Sequence, residues 1–423
     1  MRVGVALLVA LTVLAALAAS CSRRERANPL DGANPSTGGA PEGFNAFADH
    51  GLVRLSWNAR QDLPIDGFQL LRLEQGDSVY RSLTDVLPTF SSQFFDSNVL
   101  DGHDYRYRLF YVVHGELSAK PAEDVATPGP LRPWVVDAEL GRVIRLTPDG
   151  RDALFSRTGF GNVGALAVTP GGGSIWVTDE LAGTLDIVNP TALTGPHLTG
   201  LGAPAGIALD PVDGTAWVCD RGGAAVGAVL HFDASGARTP PVVLDNLDDP
   251  VSVATDPGDG SVWETEFGGG FVRHFQRDGT RIGGRPLLSP SRVAVDSTNS
   301  QAWVTSIASG WVWRVSTALT VLDSLRLQSP VGIALDWRRR TAWIADVDGN
   351  QLVAVNMDTR VVRFRVGNLG NPWDVAVDLA TGDAWAVARG TSRAYRVSPT
   401  GVVLAAVGGL GDPFGIRLDP GVQ

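Results

Sequence analysis

From Pro130 onward, short apolar runs alternate with turn residues, and the alternation itself recurs. Each unit has a run such as Ile207-Ala-Leu-Asp210, a turn such as Pro211-Val-Asp-Gly214, and a second run built on a tryptophan. A third run follows, as in Val272-Arg-His-Phe275 and Leu352-Val-Ala-Val355, then a more variable fourth such as Val361-Val-Arg-Phe364. Runs this short, bounded by Gly, Pro and Asp, predict strands rather than helices. The tryptophans at 134, 176, 217, 263, 303, 343 and 385 are 42, 41, 46, 40, 40 and 42 residues apart. A period near 40 marks a solenoid or a propeller, and four strands per period make one propeller blade. Asp210, Asp256, Asp296, Asp336 and Asp378 each precede their tryptophan by seven residues, so the hairpin between is of fixed length. Asp-Gly at 213–214 and 259–260 suits the positive dihedral angles of a tight turn.

The two ends of the repeat region complement each other. The first tryptophan strand, Trp134-Val-Val-Asp137, has no apolar run and hairpin before it, and the last run, Phe414-Gly-Ile-Arg-Leu418, has no tryptophan strand after it. Pairing the last strand with the first three predicts a ring of seven complete blades over residues 131–421, with no open edge. A linear solenoid is the competing architecture, but it needs capping repeats, and a lone half-hairpin caps poorly.

Upstream the pattern differs. Over 41–128, alternating segments such as Val53-Arg-Leu-Ser-Trp57, Gly67–Leu73 and Tyr105–Val113 predict a small β-sandwich. Residues 21–40 are rich in Arg, Asn, Pro, Gly and Ser without apolar period and read as a flexible tether. Met1-Arg-Val, the apolar stretch 4–19 and Ser20-Cys21 predict a secretory signal over 1–20, too short for a comfortable membrane span. The expected fold class is thus all-β.

Composition narrows the function. Fifty Gly and 26 Pro fit a turn-rich β protein. A net charge of -10 works against nucleic-acid binding. Arg338-Arg339-Arg340, the strongest basic run, falls between two predicted strands and reads as an exposed hairpin tip. There are two cysteines, Cys21 and Cys219, and the second lies in an apolar strand. No nucleophile elbow, phosphate-binding glycine loop, His-Glu-x-x-His or Cys-x-x-Cys is present.

Four resemblances add to this. Ala18-Ala19-Ser20-Cys21 resembles a bacterial lipoprotein signal, although Leu17 stands one place early; this implies acylation of Cys21 and a membrane partner through the lipid, with Ser22 favouring the outer membrane, facing periplasm or cell surface. Residues 41–128 resemble a fibronectin type III domain, carried by Leu55-Ser-Trp57, Ile65-Asp-Gly-Phe68, Phe95-Asp96 and Leu100–Tyr107, whose last piece looks like a tyrosine corner. Such domains usually act as spacers. The repeats, with Pro204-Ala-Gly-Ile-Ala-Leu-Asp210 and its equivalents, resemble NHL and YVTN propellers. Trp263-Glu-Thr-Glu266 with His274 resembles one repeat of the streptogramin lyases, which implies magnesium and a histidine base.

In a propeller, the loop before the innermost strand and the loop after the second strand share one face. On that face the sequence predicts Asp137, Asp179, Asp220, Glu264, Glu266, Asp346, Asp374, Arg292 and Arg389 as ligand-face candidates. Such an acidic funnel favours a cation, a sugar or an oxygen-ligated metal, unless the carboxylates bind their own turn backbone. Asp346-Val-Asp-Gly-Asn350 lacks the spacing and distal Glu of a calcium loop, so it reads as a hairpin turn. No cofactor is required, although a divalent metal is compatible with the funnel. The expectation is a lipid-anchored envelope protein that binds protein or glycan. The alternative is a metal-dependent lyase using Glu266 and His274.

Overall fold

The computed structural model describes residues 30–32 and 38–419, except 170–173, 190–193, 212 and 224–225. The predicted signal, Cys21 and most of the tether lie outside the described residues. The chain divides into two compact units, Met1–Pro130 and Leu131–Gln423. Among the described residues no helix is long and apolar enough to cross a membrane.

In the first unit, Asn45–Asp49, Leu52–Ser56 and Gln93–Asp96 form one antiparallel sheet, and a second is built on Gly67–Glu74 and Tyr105–Val113. Alternate residues of these strands, among them Val53, Leu55, Phe68, Leu70, Tyr107 and Leu109, are buried together around Trp57. Two tyrosines hold the corner. The Tyr105 hydroxyl accepts the Leu100 backbone N–H at 2.9 Å. Tyr107 donates to buried Asp96 at 3.0 Å, whose charge Arg72 also binds at 2.8 Å. A hydroxyl held between burial and a carboxylate is hard to ionise, and the Tyr107 pKa is pushed far up.

In the second unit the described residues form seven four-stranded antiparallel sheets. Sheets 1 to 6 are continuous in sequence and begin with the strands Val163–Val168, Pro204–Leu209, Pro250–Thr255, Arg292–Asp296, Pro330–Asp336 and Pro372–Val377. Sheet 7 is composite. Its first strand is Pro413–Asp419, which pairs antiparallel with Arg132–Asp137, followed by Arg142–Leu146 and Ala153–Thr158. Ile416 stands opposite Val135 and Pro413 opposite Asp137. The first strand of each sheet neighbours those of the sheets before and after, and that of sheet 7 neighbours that of sheet 1. These first strands line a channel.

Packing explains the tryptophan period. All seven are essentially inaccessible, and each fills the space toward the following sheet: Trp176 meets Ile207 and Val218, Trp217 meets Val253 and Val262, and Trp134 meets Val163 and Val177. Burying a tryptophan in a close-packed interior is worth about 3–5 kcal/mol against alanine. One large ring per sheet therefore sets the sheet-to-sheet distance and accounts for much of the cohesion.

The hairpins between first and second strands behave as their sequence implies, with Gly214 at φ +73° and Gly260 at φ +74°. The Arg338–Arg340 tip differs from expectation. Arg338 reaches the Leu379 carbonyl at 3.5 Å, Arg339 binds Asp336 and the Leu379 and Ala380 carbonyls of sheet 6, and Arg340 binds Asp296 of sheet 4 at 2.9 Å. The basic run is a clamp between hairpins. Burial opposes the Asp296 charge, but hydrogen bonds from Arg340, Gln301 and Asn299 hold its pKa below the ordinary range.

Candidate functional site

In six of the seven sheets the second strand ends three residues after its tryptophan, and in five of those the residue there is a carboxylate that meets the loop entering its own sheet. Asp179 accepts the N–H groups of Gly161, Asn162, Leu181 and Ala182 at 2.5–3.1 Å. Asp220 accepts those of Gly202, Ala203 and Gly222, Asp137 those of Gly411 and Asp412, and Asp346 those of Gln328 and Ser329. Glu266 accepts the Asp248 N–H at 2.9 Å and pairs with Arg273. Burial opposes the charge on Asp179, yet four N–H donors hold its pKa below the usual carboxylate range. These five predicted ligand-face carboxylates are therefore each engaged by backbone donors of the loops beside them.

The side chains that do face the mouth come from two other positions. In six sheets the register between first and second strands shifts just after the first residue, as at Val163/Ala165, Pro250/Ser252, Pro372/Asp374 and Pro413/Gly415. Such a bulge leaves a residue outside the ladder and re-aims it. Val251, Val331, Trp373 and Phe414 occupy these places and turn toward the mouth of the channel, where Phe267 and Ile307, four residues after their tryptophans, join them. The cavity so enclosed measures about 320 Å³. Trp373 and Phe414 lie with ring centroids 5.7 Å apart.

One residue deeper, the first strands crowd together. The seven equivalent positions hold Ala165, Gly206, Ser252, Arg292, Gly332, Asp374 and Gly415. A Cβ on Gly206 would meet the Val251 carbonyl at 2.6 Å, and one on Gly332 the Asp374 Cα at 2.6 Å. Small residues are thus a steric requirement, and the space they leave admits two long or charged side chains. Asp374 is buried and takes a hydrogen bond from Arg417 at 2.7 Å and the Ile416 N–H at 3.2 Å. Arg292 is half-buried, and its guanidinium makes no hydrogen bond or ion pair among the described residues. Burial lowers its pKa from the ordinary arginine value, partly offset by the Asp374 charge.

The other cations at the mouth are matched. Arg221 binds Asp249 at 2.5 Å and lies 3.7 Å from Glu180. Arg389 grips Asp412 through two 2.5 Å bonds, 4.5 Å from the Trp373 ring centre. Burial raises the Glu180 pKa, with Arg221 pulling the other way.

The structure separates the lyase pair. His274 stands opposite Trp263 in the ladder and stacks on it at 4.1 Å, so both project from one face of sheet 3. Glu266, three residues from Trp263, projects from the other. His274 is buried, with its ring nitrogens against the Thr317 carbonyl and the Ser261 hydroxyl, and burial lowers its pKa. Glu264 lies on the Glu266 face but deep between sheets 2 and 3. It is completely inaccessible, and neither carboxyl oxygen has a hydrogen-bond partner among the described residues. Burial pushes its pKa well above the ordinary range, against the pull of Arg281. Among the described residues no group of three His, Cys, Asp or Glu side chains is placed to hold a metal ion.

Trp373, Phe414, Phe267, Ile307 and Arg417 were not among the sequence candidates. A signal for the first two was available: each directly follows the proline that opens its repeat, and that position takes unlike residues from repeat to repeat while the proline before it recurs.

No family model matches the sequence, and no curated protein does. Solved structures do match. A protein of unknown function from Desulfotomaculum acetoxidans superposes with TM-score 0.59 at 16% identity, covering 69% of this chain and 99% of that one. Virginiamycin B lyase from Staphylococcus aureus gives TM-score 0.52 at 15% identity over 68% and 96% of the two chains. Kuenenia stuttgartiensis hydrazine synthase gives 0.55 at 15% over 69% and 92%. The second unit is a β-propeller. At these identities the likeness concerns the fold alone, and its sheets are blades.

Proposed function

We propose that this chain is an exported, lipid-tethered binding protein of the cell envelope. In this reading Cys21 carries the lipid and the fibronectin-like unit is a spacer. The propeller of NHL and YVTN type closes as seven blades through the Pro413–Asp419 strand, and the channel mouth receives the ligand. A protein or glycan of the envelope is the partner. The observation that carries the binding role is the mouth itself: a cavity of about 320 Å³, walled by bulge residues and floored by Arg292, whose guanidinium lies 6.0 Å from the Phe414 ring centre and makes no hydrogen bond or ion pair among the described residues. Apolar walls with a few convergent polar groups are the usual make-up of ligand sites. Lyase chemistry at Glu266 and His274 finds no support, because the sheet lies between them.

Two experiments test the reading. Full-length protein expressed with its own leader should incorporate an alkynyl fatty acid and lose the label in Cys21→Ala; equal labelling of both removes the anchor. Envelope extracts passed over the full chain should yield a bound species that the Trp373→Ala/Phe414→Ala double variant fails to retain. An identical set of captured species from both proteins removes the mouth as the site.

A further inference from the structure

Charge bookkeeping at the mouth points away from the cation that the sequence suggested. Its acidic side chains are committed: Asp374 to Arg417 at 2.7 Å, Asp412 to Arg389, Asp249 to Arg221, and Asp179 and Asp220 to backbone N–H groups. Glu180, the acidic residue that does line the cavity, stands by Arg221. What remains is Arg292, a cation in a narrow, partly desolvated place between apolar walls, in a protein whose net charge is -10. A buried charge without a partner is costly unless a ligand supplies one.

Resting on the reading of the mouth as a binding site, we infer that its ligand is a compact organic monoanion, a carboxylate on an apolar or aromatic body. The carboxylate meets the Arg292 fork, and the body lies against Trp373, Phe414, Phe267 and Ile307. A planar guanidinium suits a carboxylate through two parallel N–H bonds. A dianion is disfavoured because Arg292 is, among the described residues, the mouth cation that lacks an ion pair, so a second negative charge would go unmatched. Of the two partner classes proposed above, a glycan is disfavoured at the mouth, since the walls offer its hydroxyls few partners and each unmet hydroxyl costs free energy. The cavity is near the lower end of the range for small-molecule sites, about 300–1,000 Å³, which admits a small carboxylate, free or presented by a protein partner.

The test uses the purified full chain and three acids, indole-3-acetate, 1-naphthoate and decanoate, each beside its neutral amide, by titration calorimetry at low salt. The expected result is that at least one acid binds about tenfold or more tightly than its amide. Arg292→Gln should erase that preference, Arg292→Lys should keep part of it, and Trp373→Ala should weaken acid and amide alike. Equal binding of each acid and its amide, or a preference that survives Arg292→Gln, overturns the anion inference; if Trp373→Ala still abolishes binding, the mouth remains a site. No binding by any of the six probes also overturns the inference. The mouth is then judged by the envelope capture alone.

Discussion

Blade 1 and blade 3 carry carboxyl groups on equivalent strands and treat them in opposite ways. In Trp176-Val-Thr-Asp179 the charge sits at the strand end, where four backbone N–H groups converge on it. In Trp263-Glu-Thr-Glu266 the terminal carboxylate, one methylene longer, keeps a single N–H bond and turns to Arg273 instead. The extra carboxyl, Glu264, stands where Val177, Val304 and Ile344 pack against the tryptophan of the preceding blade. There it finds no donor among the described residues. Two residues along a strand separate an anchored charge from a stranded one, because side chains at the strand end see loop backbone whereas those within it see hydrocarbon. Carboxylates near a channel are thus weak evidence for a ligand until their partners are known.

Asp179→Ala should have the largest effect on this contrast. It strips the acceptor from four donors and should destabilise the protein by about 3 kcal/mol in denaturant unfolding. Asp220→Ala should behave alike, and a cost near zero for both would dismiss the anchoring role. Glu264→Val restores the residue type of the other blades and should stabilise at neutral pH by about 1–3 kcal/mol. Loss of stability would reveal a partner for the carboxyl.

The pH dependence should divide along the same line. The Glu264 pKa is raised in the folded state, so its contribution is fully present below the unfolded carboxylate value and is lost as pH rises through the folded one. The melting temperature of the wild type should decline over that rise, and Glu264→Gln should flatten the decline. The Asp179 pKa is lowered, so its contribution is present above the unfolded value and is lost as pH falls through the folded one. Asp179→Asn should blunt the acid limb below about pH 4. The smallest effect is expected for Glu266→Asp, within about 1 kcal/mol, because the shorter side chain loosens the buried Arg273 ion pair but gains the loop amides that the aspartates of the other blades bind.

How legible was all this in the chain? The blades were, since period, turn glycines and tryptophans are local signals and each acts through contacts inside one repeat or with the next. The face carrying the mouth was also readable from topology. The identity of the lining residues was not, because it depends on bulges that displace Val251, Trp373 and Phe414 from the alternation a regular strand would give. The fate of the carboxylates was hidden for a related reason. Asp179 meets amides 17 and 18 residues upstream, and Asp137 meets Gly411 and Asp412 from the far end of the second unit. Arg292 was flagged by type, but its lack of an ion pair among the described residues is a property of six other strands.

The composite blade has a consequence for biogenesis. Its three outer strands, 132–158, leave the ribosome first, while the ribbon that covers their inner edge, Pro413–Asp419, is made last. Until then a row of amides and carbonyls stays available to any passing strand, and closing a loop of that length is entropically slow. A holding chaperone should therefore bind the growing chain most persistently at this unpaired margin and let go only once Pro413–Asp419 has emerged and paired.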